Sequence, residues 1–183
     1  MPTPNSPGHI HFILGGARSG KSSRAEALAR QASGEVVFVA TCATTDPLDL
    51  EMAARVAAHR NRRPAEWETV ENRFDLDAVF AEHPGKTILV DCLTLWLSWW
   101  SSREDRLAEE QIMRKLDDAL AAVRTHGVRL LLVSNELGMG LVPMGEGNRD
   151  YRDLCGRANQ LVARSADVVE FVVAGLPLRL KGV

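Results

Sequence analysis

Cysteine is scarce in this chain: Cys42, Cys92 and Cys155 are the only three among 183 residues, far apart, with no CxxC pair and no histidine at ligand spacing. That excludes a disulfide-stapled scaffold and a cysteine-ligated metal site, and it points to three buried thiols in a reducing, cytoplasmic compartment. An excess of one charge is also lacking, since 22 Lys and Arg against 24 Asp and Glu leave a formal net charge of -2. A protein that coats nucleic acid or anionic membrane is therefore excluded, and any basic site has to be local. No apolar run reaches the length of a membrane span, and the opening MPTPNSPGHIHF has neither the basic start nor the apolar core of a signal peptide. Internal repeats and low-complexity blocks are missing as well, so one domain over residues 9–183 is expected behind a flexible, Pro-, Ser- and Gly-rich tail at 1–8.

What is present is a globular composition, 45% hydrophobic and 25% charged, in a chain long enough to bury roughly 70% of its unfolded surface. Short apolar runs alternate with longer amphipathic ones, the pattern of an α/β fold with a mostly parallel sheet flanked by helices. Strands are expected at 9–14, 35–40 (EVVFVA), 87–91 (TILVD), 128–136 (VRLLLVSNE) and 167–175 (DVVEFVVAG). Helices are expected at 21–32, from a Thr45, Asp46 and Pro47 start through LDLEMAARVAAHR, near 74–82, at 103–125 and at 149–166. In the fourth of these, Leu107, Met113, Leu116, Leu120 and Val123 share one stripe.

The most informative local pattern is Gly15-Gly16-Ala17-Arg18-Ser19-Gly20-Lys21-Ser22, which fits G-x-x-x-x-G-K-[ST] between a strand and a helix. Glycines let backbone N–H groups converge on phosphate oxygens, Lys21 supplies a charge at the β- and γ-phosphates, and the Ser22 hydroxyl is placed to ligate Mg2+. Such a P-loop needs a carboxylate at the end of a neighbouring strand for that metal, and Asp91, closing TILVD, is the candidate. No DxxG follows that strand and no NKxD appears, which excludes a switch GTPase. Trp96, Trp99 and Trp100 fall at helical spacing and read as packing residues. His9, His11, His83 and His126 read as surface or capping residues, while Asn135 and Glu136 end a strand on the edge where such sheets bind ligands.

Beyond the P-loop, EMAARVAAHRNRRPAEWETVE, LVDCLTLWLS, VSNELGMGLVP and YRDLCGRANQLVARSADVVEFVVAG follow in order. With them the chain resembles, over about residues 10–181, the bifunctional adenosylcobinamide kinase / adenosylcobinamide-phosphate guanylyltransferase family of cobalamin biosynthesis. The resemblance implies a P-loop NTPase (RecA-like) fold and a homotrimer. It also implies phosphorylation of the corrinoid substrate adenosylcobinamide, with GTP or ATP as donor, and then GMP transfer from GTP through a guanylylated histidine. By position that nucleophile is His59, with Lys21 and Asp91 completing the catalytic set. Nucleotide contacts map onto Gly15 to Ser22, that is Gly15, Gly16, Ala17, Arg18, Ser19, Gly20, Lys21 and Ser22, and onto Thr41, Cys42 and Ala43. They continue at Asn61, Arg62, Arg63, Pro64, Glu71 and Asp91, with Ser22 and Asp91 on the metal. Relatives carry a small polar residue where Trp99 stands. Arg55, His59 and Arg62 or Arg63 share one helical face, and arginines there would orient a triphosphate for attack on its α-phosphorus. Two other readings use the same residues: a single-activity P-loop kinase for another small alcohol, and a nucleotide-binding regulatory module without chemistry.

Overall fold

A computed structural model of the chain describes residues 8–42, 54, 57, 60 and 63–182. The apolar runs become the interior of one seven-stranded sheet: β1 (His9–Gly15), β2 (Val36–Ala40), β3 (Glu68–Glu71), β4 (Thr87–Asp91), β5 (Arg129–Asn135), β6 (Val168–Val173) and β7 (Leu176–Lys181). Their order is β3-β2-β4-β5-β1-β6-β7, with only β7 antiparallel to its neighbour. Strands buried on both faces need continuous apolar sequence, which is why VVFVA and TILVD carry no alternation.

Helix α1 (Lys21–Arg30) covers one face, where Ala25 and Ala29 pack on Ile13, Phe38, Leu89, Leu131 and Val133. The other face carries α2 (Leu76–Glu82), α3 (Leu93–Ser102), α4 (Glu109–Thr125) and α5 (Glu146–Ser165) over Ile10, Phe12, Val37, Val39, Val90 and Leu132. Each large aliphatic side chain buried there contributes about 1.5–3 kcal/mol. Trp96 sits in this layer with its indole N–H donating to the Phe74 carbonyl at 2.7 Å, and Trp99 stacks on the Phe74 ring at 3.9 Å between centroids. The tryptophans are thus packing residues, with Arg103 over the Trp99 ring and Lys115 over Trp100.

Several expectations need correction. The helix expected from 103 starts at Glu109, because Arg103 pairs with Asp105 in a polar turn and the Gln111 side chain accepts the Ala108 N–H at 2.9 Å, capping a new start. Leu107 therefore lies outside the helix whose stripe it was assigned to, although it still packs on the core. Strands β3 and β7 are additions at the two sheet edges, and α5 begins three residues early, at Glu146. His11 and His83 are buried rather than superficial: the His83 ring bridges the Val79 carbonyl and Glu68. Cys42 is half-exposed, whereas Cys92 and Cys155 are buried and none of the three is in a disulfide. Gly8, expected in the tail, is buried against Val123 with its carbonyl bound by Arg124. The helix start at Thr45, Asp46 and Pro47 lies outside the described residues.

Candidate active site

The carboxyl ends of the parallel strands form one edge, and register brings the chemistry to it: Gly15 pairs with Asn135, and Ala40 pairs with both Asp91 and Glu71. β5 separates the loop-bearing β1 from β4 with its terminal carboxylate. Ligands bind in such a crevice where strand order reverses, and β1 is that point, since the chain leaves it toward β2 on one side and later adds β6 on the other.

Local conformation explains the glycines of the loop. A Cβ on Gly15 would stand 2.5 Å from Ser19 Oγ and 2.7 Å from the Val172 carbonyl oxygen, so only glycine fits. Gly20 opens α1 at φ +96°, in the left-handed region, and Arg18 also has positive φ, 57°. Lys21 is buried and folds back over the loop, donating to the Gly16 carbonyl at 3.1 Å. Burial lowers its pKa while the nearby Cys92 and Asp91 act against that, so Lys21 and the end of β4 share one electrostatic site. Ser19 Oγ is buried in the cradle without a partner among the described residues.

Thr41, just past β2, locks the chain leaving β4. Its hydroxyl accepts the Cys92 N–H and donates to the Cys92 carbonyl, both at 2.7 Å, so its polar capacity is engaged by the backbone. Burial pushes the Cys92 thiol up to about 11, with Asp91 adding to the effect, and it stays protonated. Beyond it, Asn135 donates to Thr94 Oγ1 at 2.7 Å and the Tyr151 hydroxyl donates to the Thr94 carbonyl at 2.5 Å. These bonds tie β5, α3 and α5 into a rigid floor.

At the β3 edge, Arg60, Arg63, Pro64, Trp67, Thr69 and Glu71 line a groove of about 460 Å³. Glu71 takes Arg60 in a bidentate pair at 2.5 and 3.0 Å, with Arg63 at 3.8 Å. Arg63 lies 3.7 Å over the Phe38 ring, and its buried Nε has no partner among the described residues. Desolvation lowers the Arg63 pKa, with Glu71 opposing it.

The structure thus brings together Gly15, Gly16, Ala17, Arg18, Ser19, Gly20, Lys21, Ser22, Thr41 and Asp91, and it gathers Arg63, Pro64 and Glu71 one strand further out. His59, Ala43, Asn61 and Arg62 lie outside the described residues. Sequence reading missed Trp67 and Thr69 in the groove, although the tryptophan of NRRPAEW beside mapped positions was the available signal. Arg149, close to the same edge, donates to the Met144 and Pro143 carbonyls.

A lysine folded over its own glycine-rich turn, one strand removed from an acidic strand end, makes this a P-loop nucleotide-binding protein. Residues 11–180 match the family described as cobinamide kinase / cobinamide phosphate guanyltransferase. The chain belongs to that family and is an enzyme with those two activities. It is similar to the bifunctional adenosylcobalamin biosynthesis protein CobP of Pseudomonas aeruginosa, at 42% identity over 93% of this chain and 96% of that protein. CobU of Escherichia coli and CobU of Salmonella typhimurium, which bear the same bifunctional description, are 36% and 37% identical, each over 93% of this chain and 98% of theirs. Among solved structures, a KaiC-like protein of Pyrococcus horikoshii OT3 has a TM-score of 0.49 at 16% identity, covering 90% of this chain and 71% of that one.

Proposed function

We propose that the chain phosphorylates the aminopropanol hydroxyl of adenosylcobinamide and then transfers GMP from GTP to the product through His59. The observation that carries this reading is the Lys21 ammonium, buried over the glycine-rich turn with Gly16 as its hydrogen-bond acceptor. On nucleotide binding it exchanges that carbonyl for phosphate oxygens, with the N–H groups of Gly16 to Ser22 around them.

Magnesium is implied by P-loop chemistry, and the residues suit it. Ser22 in the first turn of α1 and Asp91 at the end of β4 are hard oxygen donors. No cluster of three or more His, Cys, Asp or Glu is found among the described residues, which agrees with a metal that keeps most of its water and shares the nucleotide phosphates. When bound, Mg2+ neutralises charge on the β- and γ-phosphates. GTP serves the second step, and either GTP or ATP the first, since a P-loop reads phosphates and not bases.

In the guanylyl step an imidazole nitrogen of His59 bonds to the α-phosphorus while the bond to the β-phosphate oxygen breaks, and pyrophosphate leaves. A phosphate oxygen of adenosylcobinamide phosphate then displaces the histidine, giving adenosylcobinamide-GDP. Arg62 and Arg63, Asn61, Pro64 and Glu71 hold the nucleotide for this step, with Thr41, Cys42 and Ala43 bordering it. The working state is a homotrimer, to be checked by light scattering. The proposed place of work is the cytoplasm, where a reducing environment suits the chain's three free cysteines.

Incubation with α-labelled and γ-labelled GTP in parallel tests the reading. γ-label should pass to adenosylcobinamide, and α-label first to protein and then to the corrinoid. Phosphorylation without any protein adduct would instead establish a single-step kinase.

A further inference from the structure

We propose that Glu136 is the proton acceptor of the kinase step, an inference that rests on the functional reading above. Glu136 is the first residue past β5, and its N–H donates to the Gly15 carbonyl at 3.0 Å. It is therefore attached to the first turn of the phosphate loop, at the strand end lying between the loop of β1 and Asp91 of β4. A carboxylate at that point stands on the edge that carries both the phosphate loop and the Asp91 strand end.

Its carboxylate is available where the others are not. Glu71 is held by Arg60 and Arg63, Glu170 is buried under Arg24, and Asp91 suits the metal. Glu136 is half-exposed, and among the described residues no cation pairs with it. One oxygen accepts the Gly138 N–H at 2.6 Å, which fixes the direction of the carboxylate and leaves the second oxygen open. A Cβ at position 138 would stand 2.8 Å from that first oxygen, so the glycine permits the arrangement.

The loop leaving Glu136 supports the kind of acceptor involved. Met139, Leu141, Val142 and Met144 are all exposed there, with Leu141 at 97% and Met144 at 96% of full accessibility. Four large apolar side chains in water beside a phosphate-binding edge fit a substrate with a broad apolar ring and a hydroxyl-bearing arm. The ring rests on this loop and the arm reaches past Glu136 to the nucleotide.

In the step, the alcohol oxygen forms a bond to the γ-phosphorus and the bond from that phosphorus to the β,γ-bridging oxygen breaks. The electron pair leaves with the nucleoside diphosphate, and the hydroxyl proton passes to Glu136.

Glu136→Gln keeps the volume and the backbone N–H to Gly15 while removing the base. Kinase kcat should fall about 100-fold or more, and nucleotide Kd should move by less than about twofold. Glu136→Asp should recover part of kcat. A wild-type kcat in Glu136→Gln overturns the inference. So does a loss of nucleotide affinity parallel to the loss of kcat, which would mark Glu136 as a brace of the loop only. A wild-type enzyme with no kinase turnover on adenosylcobinamide overturns the functional reading, and this inference with it. A fully active wild type beside a fully active variant overturns this inference alone.

Discussion

The Gly175 N–H, in the turn joining β6 to β7, donates to the Ser19 carbonyl of the phosphate loop at 2.8 Å. A trans peptide sets its carbonyl and the next N–H on opposite sides, so this bond turns the Gly20 N–H away from the hairpin. The Glu136 N–H acts on the Gly15 carbonyl in the same way. Two backbone donors outside the motif therefore orient N–H groups inside it, before any nucleotide arrives.

Gly175 makes its bond at φ +81°, next to Ala174 at +51°. Gly175→Val cannot hold that conformation without strain, whereas Asn tolerates it. Nucleotide affinity should fall about tenfold in the valine variant, equivalent to ~1.4 kcal/mol, and recover largely in Gly175→Asn. Titration with a fluorescent GDP analogue measures both, and equal affinity in wild type and Gly175→Val would remove the turn from the binding site.

Lys21→Ala should lose both transfers, because each depends on holding the triphosphate in a reactive pose. Asp91→Asn keeps the volume and removes one charge from the proposed metal site. Its turnover should drop at least about 100-fold at fixed Mg2+, since electrostatic stabilisation of this kind is worth several kcal/mol. Assays over a range of Mg2+ concentration give the comparison; full activity in either variant takes that residue out of the mechanism.

His59→Asn should take up no α-label from GTP while retaining kinase turnover from Lys21 and Asp91. A phosphoramidate is acid-labile and stable to alkali, so label on the denatured wild-type protein should survive base and disappear in mild acid. Label persisting on the asparagine variant would place the nucleophile elsewhere.

Glu170, buried in β6, anchors the helix that follows the P-loop: Arg24 donates to it twice at 2.8 Å, and Arg179 and His11 lie at 3.3 and 3.5 Å. The Arg24 hydrogen bonds, with the charges of His11 and Arg24, hold its carboxyl down at about 2 against an ordinary 4.5. A carboxylate lowered in the folded state adds stability above the unfolded pKa and loses it as pH falls, here between roughly pH 4.5 and 2. Burial lowers the His11 pKa below 6.5, with Glu170 opposing. The unfolded chain therefore takes up that proton first, and stability also declines as pH drops through that region. Urea unfolding from pH 8 to pH 3 should show decreasing stability, and Glu170→Gln should lower stability at pH 7 and flatten the acid part of the curve.

The P-loop, its strand and helix, and Asp91 closing β4 were legible in the sequence because each depends on local covalent facts: glycine's conformational range, a lysine at fixed spacing, an apolar run ending in an acid. Interior strands β2, β4 and β5 were legible for the same reason, since burial on both faces demands unbroken apolar sequence. Edge strands β3 and β7 were not. ETVE and LPLRLK have one partner each, are largely exposed, and carry charges and a proline that read as loop until a neighbour supplies the ladder. His11 read as a surface or capping residue because a polar side chain reveals its burial only when its partners, here Glu170 of β6 and through it Arg24 of α1, arrive from distant sequence. The donors from Gly175 and Glu136 were hidden too, for backbone N–H groups have no sequence identity and only the packing of β5 and the β6–β7 turn beside β1 aims them. The chemistry of the phosphate site was thus written in its own eight residues, while tertiary contact from far along the chain decided its orientation and its supports.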